Sequence, residues 1–303
     1  MTQRLTPSTA LLLTVPPLMW AGNAVVGRLM SGQVPPMTLN FLRWVIAFVL
    51  LLPLAAWVLK PGSGLRQHWR RFALLGFLAV GCYNALQYLA LKTSTPLNVT
   101  LVAASSPVFM LVVGRLFFGQ AVARWQWAGA ALSILGVLLV ISRGDWATLL
   151  AVQLVPGDLY VLLATAAWAF YSWLLGQTTE PAAIRADWAA MLMAQIVPGV
   201  LWAGLFSAGE WMIDPDATIH WSWTVAAAML FIAIGPAILA YRCWGLGVQR
   251  AGAAMAGFFS NLTPLFAAVF SVAFLGELPH WYHGAAFALI VAGIVVSARR
   301  PGG

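Results

Sequence analysis

The sequence is poor in charge, in acids, in cysteine and in histidine. Only 8% of its 303 residues are Asp, Glu, Lys or Arg, against about 25% in an ordinary soluble domain, so it cannot cover a water-soluble globule. Two cysteines, Cys82 and Cys243, both inside apolar runs, exclude a disulfide scaffold. Low charge combined with high hydrophobicity excludes a disordered chain. The sequence contains no HExxH, no cluster of metal-ligand residues and no glycine-rich phosphate loop ending in Lys, and His68, His220, His280 and His283 all stand at the ends of apolar runs. An intramembrane enzyme or an ATP-driven pump would lack its chemistry, and no cofactor or metal is expected. No carboxylate falls near the centre of a run, the usual place of a proton relay, so secondary transport remains without a visible coupling ion.

What the sequence has is apolar length. Hydrophobic residues make up 62% of the chain and the mean hydropathy is +0.87. Splitting at charges and Pro/Gly clusters gives ten runs, approximately 9–26, 36–58, 72–92, 97–118, 125–142, 157–175, 188–206, 223–248, 253–275 and 281–297. Each is long enough to cross about 30 Å of hydrocarbon as helix. The expected fold class is therefore all-α integral membrane, with ten transmembrane helices. The first run resembles a cleavable leader, yet nine more runs follow it and a first membrane helix is the better reading.

The net charge of +8 suggests a phosphate-binding surface, but the basic residues lie in the short connectors, where they set orientation. With the N-terminus inside, ten Lys/Arg fall on the cytoplasmic side (Arg4, Lys60, Arg66, Arg70, Arg71, Arg124, Arg185, Arg250, Arg299, Arg300) and three outside (Arg28, Lys92, Arg143). Both termini are thus expected in the cytoplasm of a bacterial inner-membrane protein, with the bilayer and no nucleic acid as partner. The oligomeric state is not legible, and a monomer is compatible with every feature.

The chain also repeats. At a shift of 157 residues, 97–143 lies without gaps on 254–300, and ten of 47 positions are identical, including Pro107 on Pro264, Gly119 on Gly276 and Gly136 on Gly293. A unit of five helices has an odd number of crossings, so its second copy enters from the opposite face. Such inverted repeats enclose a midplane substrate site and rock around it. The expected halves are 1–145 and 146–303, around a central cavity.

Two five-helix units, each with a Pro in the fourth helix, Gly-Gln or Gly-Glu at its end (Gly119-Gln120, Gly276-Glu277) and G-x6-G in the fifth (Gly129 to Gly136, blurred to Ala286 to Gly293), resemble the EamA units of the drug/metabolite transporter superfamily. The resemblance covers about 9–300. Within it, the aromatic-rich first, third and sixth helices are similar to the YddG-type exporters of aromatic amino acids and methionine. The resemblance implies a secondary transporter, not an enzyme, that exports amino acids such as Trp, Phe, Tyr and Met by alternating access; a broader metabolite or drug exporter is the alternative within the class, and a membrane enzyme or receptor a distant one. Gly119-Gln120 departs from the family's Gly-Glu, leaving Glu277 as the one acid of that motif.

Polar side chains inside hydrocarbon point to a path. In helix 3, Asn84, Gln87 and Tyr88 share one face, beside Tyr83; amides flanked by tyrosines suit an amino acid's charged end and ring, whereas the simpler role is helix-to-helix glue. Ser105, Ser106 and Pro107 in helix 4 match Asn261, Thr263 and Pro264 in helix 9, giving either a bend beside the substrate that flexes as a gate or a static kink. Trp20 with Asn23, and Trp168 with Tyr171, could line a pocket for a flat side chain, although many of the 16 tryptophans belong to interfacial belts. Arg242, between Tyr241 and near Trp244, could hold a carboxylate or snorkel to the inner surface. Arg43 and Arg115 are placed as snorkelling residues. Lys92 and Glu277 map to the outer surface, where an ion pair would close an outer gate and two solvated loop charges is the simpler state.

Overall fold

The computed structural model describes residues 5–30, 32–91, 93, 94, 96–275 and 280–299, and every regular element among them is helical. The helices, in chain order, are α1 (Pro7–Leu29), α2 (Pro36–Ala55) and α3, which runs through Trp69–Gly76, a π segment Phe77–Cys82 and Tyr83–Leu91. Next come α4 in two pieces (Pro96–Ala103 and Ser106–Phe117), α5 (Arg124–Ile141), α6 (Pro156–Gly176) and α7 (Trp188–Ile213). Then follow α8 (Trp223–Ile232, a π segment Ala233–Leu239 and Ala240–Ala251), α9 in two pieces (Ala253–Ser260 and Thr263–Leu275) and α10 (Trp281–Ser297). Eight of these are long and apolar enough to span a bilayer, namely all but α3 and α10; the chain is a multi-pass membrane protein. Lys92 and Glu277 lie outside the described residues.

The helices associate as small residues permit. In lipid there is no hydrophobic drive between helices, so close packing at glycine and matched polar groups hold them together. Along α5 and α10, a Cβ at Gly129 would lie 2.5 Å from the Gly293 carbonyl oxygen, and one at Gly136 would lie 2.9 Å from the Ala286 carbonyl oxygen. The register runs 129 to 293 and 136 to 286, so the two helices are antiparallel. The blurred G-x6-G pattern is thereby explained: three glycines and one alanine let two backbones touch. The α2–α7 pair is held at one end by polar groups, where Glu210 accepts from the Met37 and Thr38 N–H groups at 3.0 and 2.8 Å, which no turn of α2 can satisfy. Thr38 Oγ1 lies 2.9 Å from Ser207 Oγ and accepts from Trp211 Nε1 at 2.8 Å.

Gly119 closes α4 in the left-handed region at φ +63°, and the Gln120 N–H turns back to the Gly114 carbonyl at 3.0 Å. The glycine of the Gly-Gln motif is thus a helix stop that a side chain would strain.

Three acids at or near helix ends are well packed. Asp158, in the first turn of α6, is buried and accepts from Ser94 Oγ (2.5 Å), Asn98 Nδ2 (2.9 Å) and the Val155 N–H (2.9 Å). Glu180 has a side chain with no exposure and bridges Arg71 (3.0 Å) and Arg185 (3.2 Å), tying the start of α3 to the α6–α7 connection. Asp187 caps α7 through the Ala189 and Ala190 N–H groups.

Gly293→Val should lower the detergent melting temperature of the purified protein by several degrees, because the overpacking costs about 1–3 kcal/mol. Gly284→Ala, on the same helix but with no atom within 4 Å of its new Cβ, should leave it unchanged or raise it; equal losses in both variants would refute backbone contact between α5 and α10.

Candidate functional site

The middle of the molecule is a cluster of aromatic rings around Trp168 of α6, which is 3% exposed. Its ring contacts those of Trp20 on α1 (5.3 Å between centroids), Tyr83 on α3 (4.8 Å), Tyr171 one turn on (5.0 Å), and Tyr241 and Trp244 on α8 (5.5 and 5.3 Å). Trp20 also meets Trp244 at 5.5 Å, and Trp44 of α2 closes on Tyr241 at 4.9 Å. Offset and edge-on ring pairs at these distances each contribute about 0.5–1.5 kcal/mol beyond area burial. Of the expected site residues, six (Trp20, Tyr83, Trp168, Tyr171, Tyr241, Trp244) are therefore in one cluster. Asn23 is half-buried on α1, and Gln87 lies within hydrogen-bonding reach of Tyr83. Tyr88 belongs to the same stretch of α3.

The polar half of the cluster follows from the π segment in α3. Widening of the helix there takes backbone carbonyls out of the ordinary ladder, and side chains from three helices collect on them. The Ala79 carbonyl accepts from Asn84 Nδ2 (3.2 Å) and from the Tyr241 hydroxyl (3.0 Å), and the Val80 carbonyl accepts from Asn40 Nδ2 (3.1 Å). Asn84 is thereby turned so that its Oδ1 accepts from an Arg43 terminal nitrogen at 3.1 Å. This corrects the expectation for Arg43: the side chain does not snorkel to an interface but is 3% exposed, with its guanidinium 5.1 Å from the Trp44 ring. Sequence reasoning missed Arg43, Trp44 and Asn40, although their i, i+3, i+4 spacing on an otherwise apolar helix was a usable signal. Arg115, in contrast, is exposed.

The breaks in α4 and α9 meet each other. Each is a two-residue break bridged by turn hydrogen bonds, and Pro107 and Pro264 fall in the first turn of the half-helix that follows, where a missing N–H costs little. The carbonyl left open is that of Ala104, which accepts from Asn261 Nδ2 at 3.2 Å, while the same amide donates to Ser133 Oγ of α5 at 3.0 Å. Ser105 Oγ turns back to the Val102 carbonyl at 2.5 Å. Ser106 and Pro107 are buried, and Thr263 and Pro264 are half-buried.

Arg242 stands apart from the ring cluster. It is exposed, with its guanidinium 4.5 Å from the Trp188 ring, at the edge of a cavity of about 130 Å³ between the end of α6, the start of α7 and the end of α8. Tyr171 and Tyr241 form the inner wall of this cavity, so it abuts the cluster. Gln195 lines it too, with Oε1 buried and unpartnered. No group of three or more His, Cys, Asp or Glu is arranged to hold a metal among the described residues.

Discontinuous helices around a buried polar and aromatic centre are a feature of secondary transporters. The EamA-like transporter family model matches residues 7–142 and 155–299, and the chain belongs to that family. It is 24% identical over 292 residues to the aromatic amino acid exporter YddG of Ancylobacter novellus, covering 93% of this chain and 95% of the relative. To the probable amino-acid metabolite efflux pump of Salmonella typhimurium it is 26% identical over 298 residues (95% and 93%), and to an uncharacterized transporter of Archaeoglobus fulgidus 25% over 295 residues (96% and 98%). A solved crystal structure shares the fold with a TM-score of 0.74 at 22% identity, over 98% of both chains. These relatives are named as transporters and pumps, and the chain is a transporter, not an enzyme.

Asn261→Leu should cost about 1–3 kcal/mol, the penalty for stranding the Ala104 carbonyl and the Ser133 hydroxyl, read as a lower melting temperature. Ser133→Ala should add little in the Asn261→Leu background; full additivity would show that the two side chains are energetically independent.

Proposed function

We propose that the chain exports amino acids with aromatic or large apolar side chains across the bacterial inner membrane. It does so by alternating access, with ten crossing helices arranged as two inverted halves, 1–145 and 146–303, and both termini in the cytoplasm. The observation that carries the substrate class is the cluster around Trp168. Five helices contribute its rings, and a guanidinium and carboxamides stand on its α2–α3 side, which matches a molecule that is flat and apolar at one end and charged at the other. The names of the exporter and efflux-pump relatives agree with that chemistry.

The inverted arrangement is supported by features that recur at the shift of 157 residues found in the sequence. The π segment at 77–82 corresponds to 234–239, within Ala233–Leu239. The α4 break at 104 and 105 corresponds to 261 and 262. Packing follows the same operation: α1 lies against α8 as the last part of α3 lies against α6, and α1 meets the second half of α9 as α6 meets the second half of α4. Asn261 donates to the carbonyl of Ala104, its own counterpart in the first half. Alternating access then requires the ring cluster to part on one side at a time, with the discontinuous helices as flexing points.

Proteoliposomes containing the purified chain should transport radiolabelled tryptophan, phenylalanine and methionine down their gradients, and Trp168→Ala should reduce tryptophan flux at least tenfold relative to a comparably folded control. Flux of a cationic dye without amino-acid flux would replace this reading with that of a broad drug exporter. A cysteine at position 84 in a background lacking Cys82 and Cys243 should be labelled from either face, depending on substrate; labelling from one face under all conditions would refute alternating access.

A further inference from the structure

Among the described residues, Arg43 is a cation with no anion beside it. Its guanidinium lies on α2 seven residues from Pro36, about 10 Å along the helix axis, and it contacts the Asn84 side-chain oxygen Oδ1 and the face of Trp44. The ion pairs among the described residues both belong to Glu180, and neither includes Arg43. A buried guanidinium in this setting is expensive unless a carboxylate or comparable anion meets it. The cost is not relieved by the local hydrogen bonds, because Arg43 Nε is buried and unpartnered. Two neighbours on the same face of α2 share that condition: Trp44 Nε1 is an unpartnered buried donor and Asn40 Oδ1 an unpartnered buried acceptor. Asn40 cannot swing away to find a donor, since its Nδ2 is held by the Val80 carbonyl.

Two free donors, one of them cationic, and one free acceptor on one helix face are the complement of an α-amino acid's head group. Buried polar atoms are normally paired, and each exception calls for an explanation; three at i, i+3 and i+4 of one helix share one. We propose that Asn40, Arg43 and Trp44 form the head-group subsite of the transported amino acid, the carboxylate accepting from Arg43 Nε–H and Trp44 Nε1–H and the ammonium donating to Asn40 Oδ1. The side chain of the substrate then lies toward the Trp168 cluster, which Trp44 reaches through Tyr241 and Asn84 through its neighbour Tyr83. This inference rests on the amino-acid export reading and sharpens it: the substrate must carry both a carboxylate and an α-ammonium group.

The test compares tryptophan, tryptamine (no carboxylate) and indole-3-propionate (no ammonium) in proteoliposomes. The readout is the ratio of fluxes within each variant, so that a lower folded fraction cancels. Wild type should prefer tryptophan to either analogue by about tenfold or more, the worth of a charge-assisted hydrogen bond. Arg43→Gln should bring the tryptophan-to-tryptamine flux ratio down to about one, Arg43→Lys should retain part of the preference, and Asn40→Leu should erase the preference over indole-3-propionate. Loss of tryptophan and tryptamine flux in equal proportion in Arg43→Gln would overturn the subsite and leave Arg43 a packing residue. If wild type carries no indole compound, the export reading fails by itself. The subsite is then judged by melting temperature in detergent, where sodium acetate over sodium chloride should stabilise wild type and not Arg43→Gln, and equal response would overturn it. The same fluxes in phosphatidylcholine vesicles with and without phosphatidylglycerol separate the two sources of an anion; a preference for tryptophan that depends on phosphatidylglycerol would assign Arg43 to a lipid headgroup and overturn the proposal.

Discussion

The constraint on which the rest depends is that a backbone carbonyl in hydrocarbon has no water to turn to. An unbroken α-helix satisfies its carbonyls internally, and most of this chain does so. The exceptions lie in the interior: the π segments of α3 and α8 and the interruptions of α4 and α9. Carbonyls at Ala79, Val80 and Ala104 are taken up by Asn84, Tyr241, Asn40 and Asn261. The polar residues of the centre are there, in the first place, because irregular backbone needs them. The proposed head-group subsite uses the spare valences that remain: the carboxamide oxygen of Asn40, the indole N–H of Trp44 and the Nε–H of Arg43.

Much of this was legible in the sequence, for reasons that can be named. The apolar runs and the placed Pro and Gly are patterns in one dimension: eight of the ten runs fold as helices long and apolar enough to cross a membrane, and the Pro and Gly become helix breaks and the α5–α10 contact. The ring cluster was half legible, because Trp20, Tyr83, Trp168, Tyr171, Tyr241 and Trp244 could be marked as candidates without knowing that they share a centre. Ser172 could not: it becomes visible only when Trp244 Nε1 donates to it at 3.1 Å.

Arg43 and Glu180 show where one-dimensional reading runs out. A long cation near a helix end has two fates, the interface or a buried partner, and the choice is made by what stands opposite. For Arg43 that is Asn84, aimed by a π segment that has no sequence signature. For Glu180 it is the arginines 109 residues earlier and five later, which turn a loop charge into a bridge between α3 and the α6–α7 connection.

The balance of rigid and strained parts suggests how such a molecule can move. The α5–α10 pair, where backbones touch at Gly129 and Gly293, cannot open without separating two helices along their length, and the α2–α7 pair carries a cap at Glu210. The centre is different. Its rings meet edge-on or tilted, with centroids about 5 Å apart, so that each contact is modest and several can be exchanged for contacts to a bound ring at little net cost. Under the proposed subsite, the unpartnered atoms of Asn40, Arg43 and Trp44 gain partners when a head group is bound. A substrate of that shape would supply to the centre what the resting structure lacks, and the free energy released there is available to shift the equilibrium between conformations.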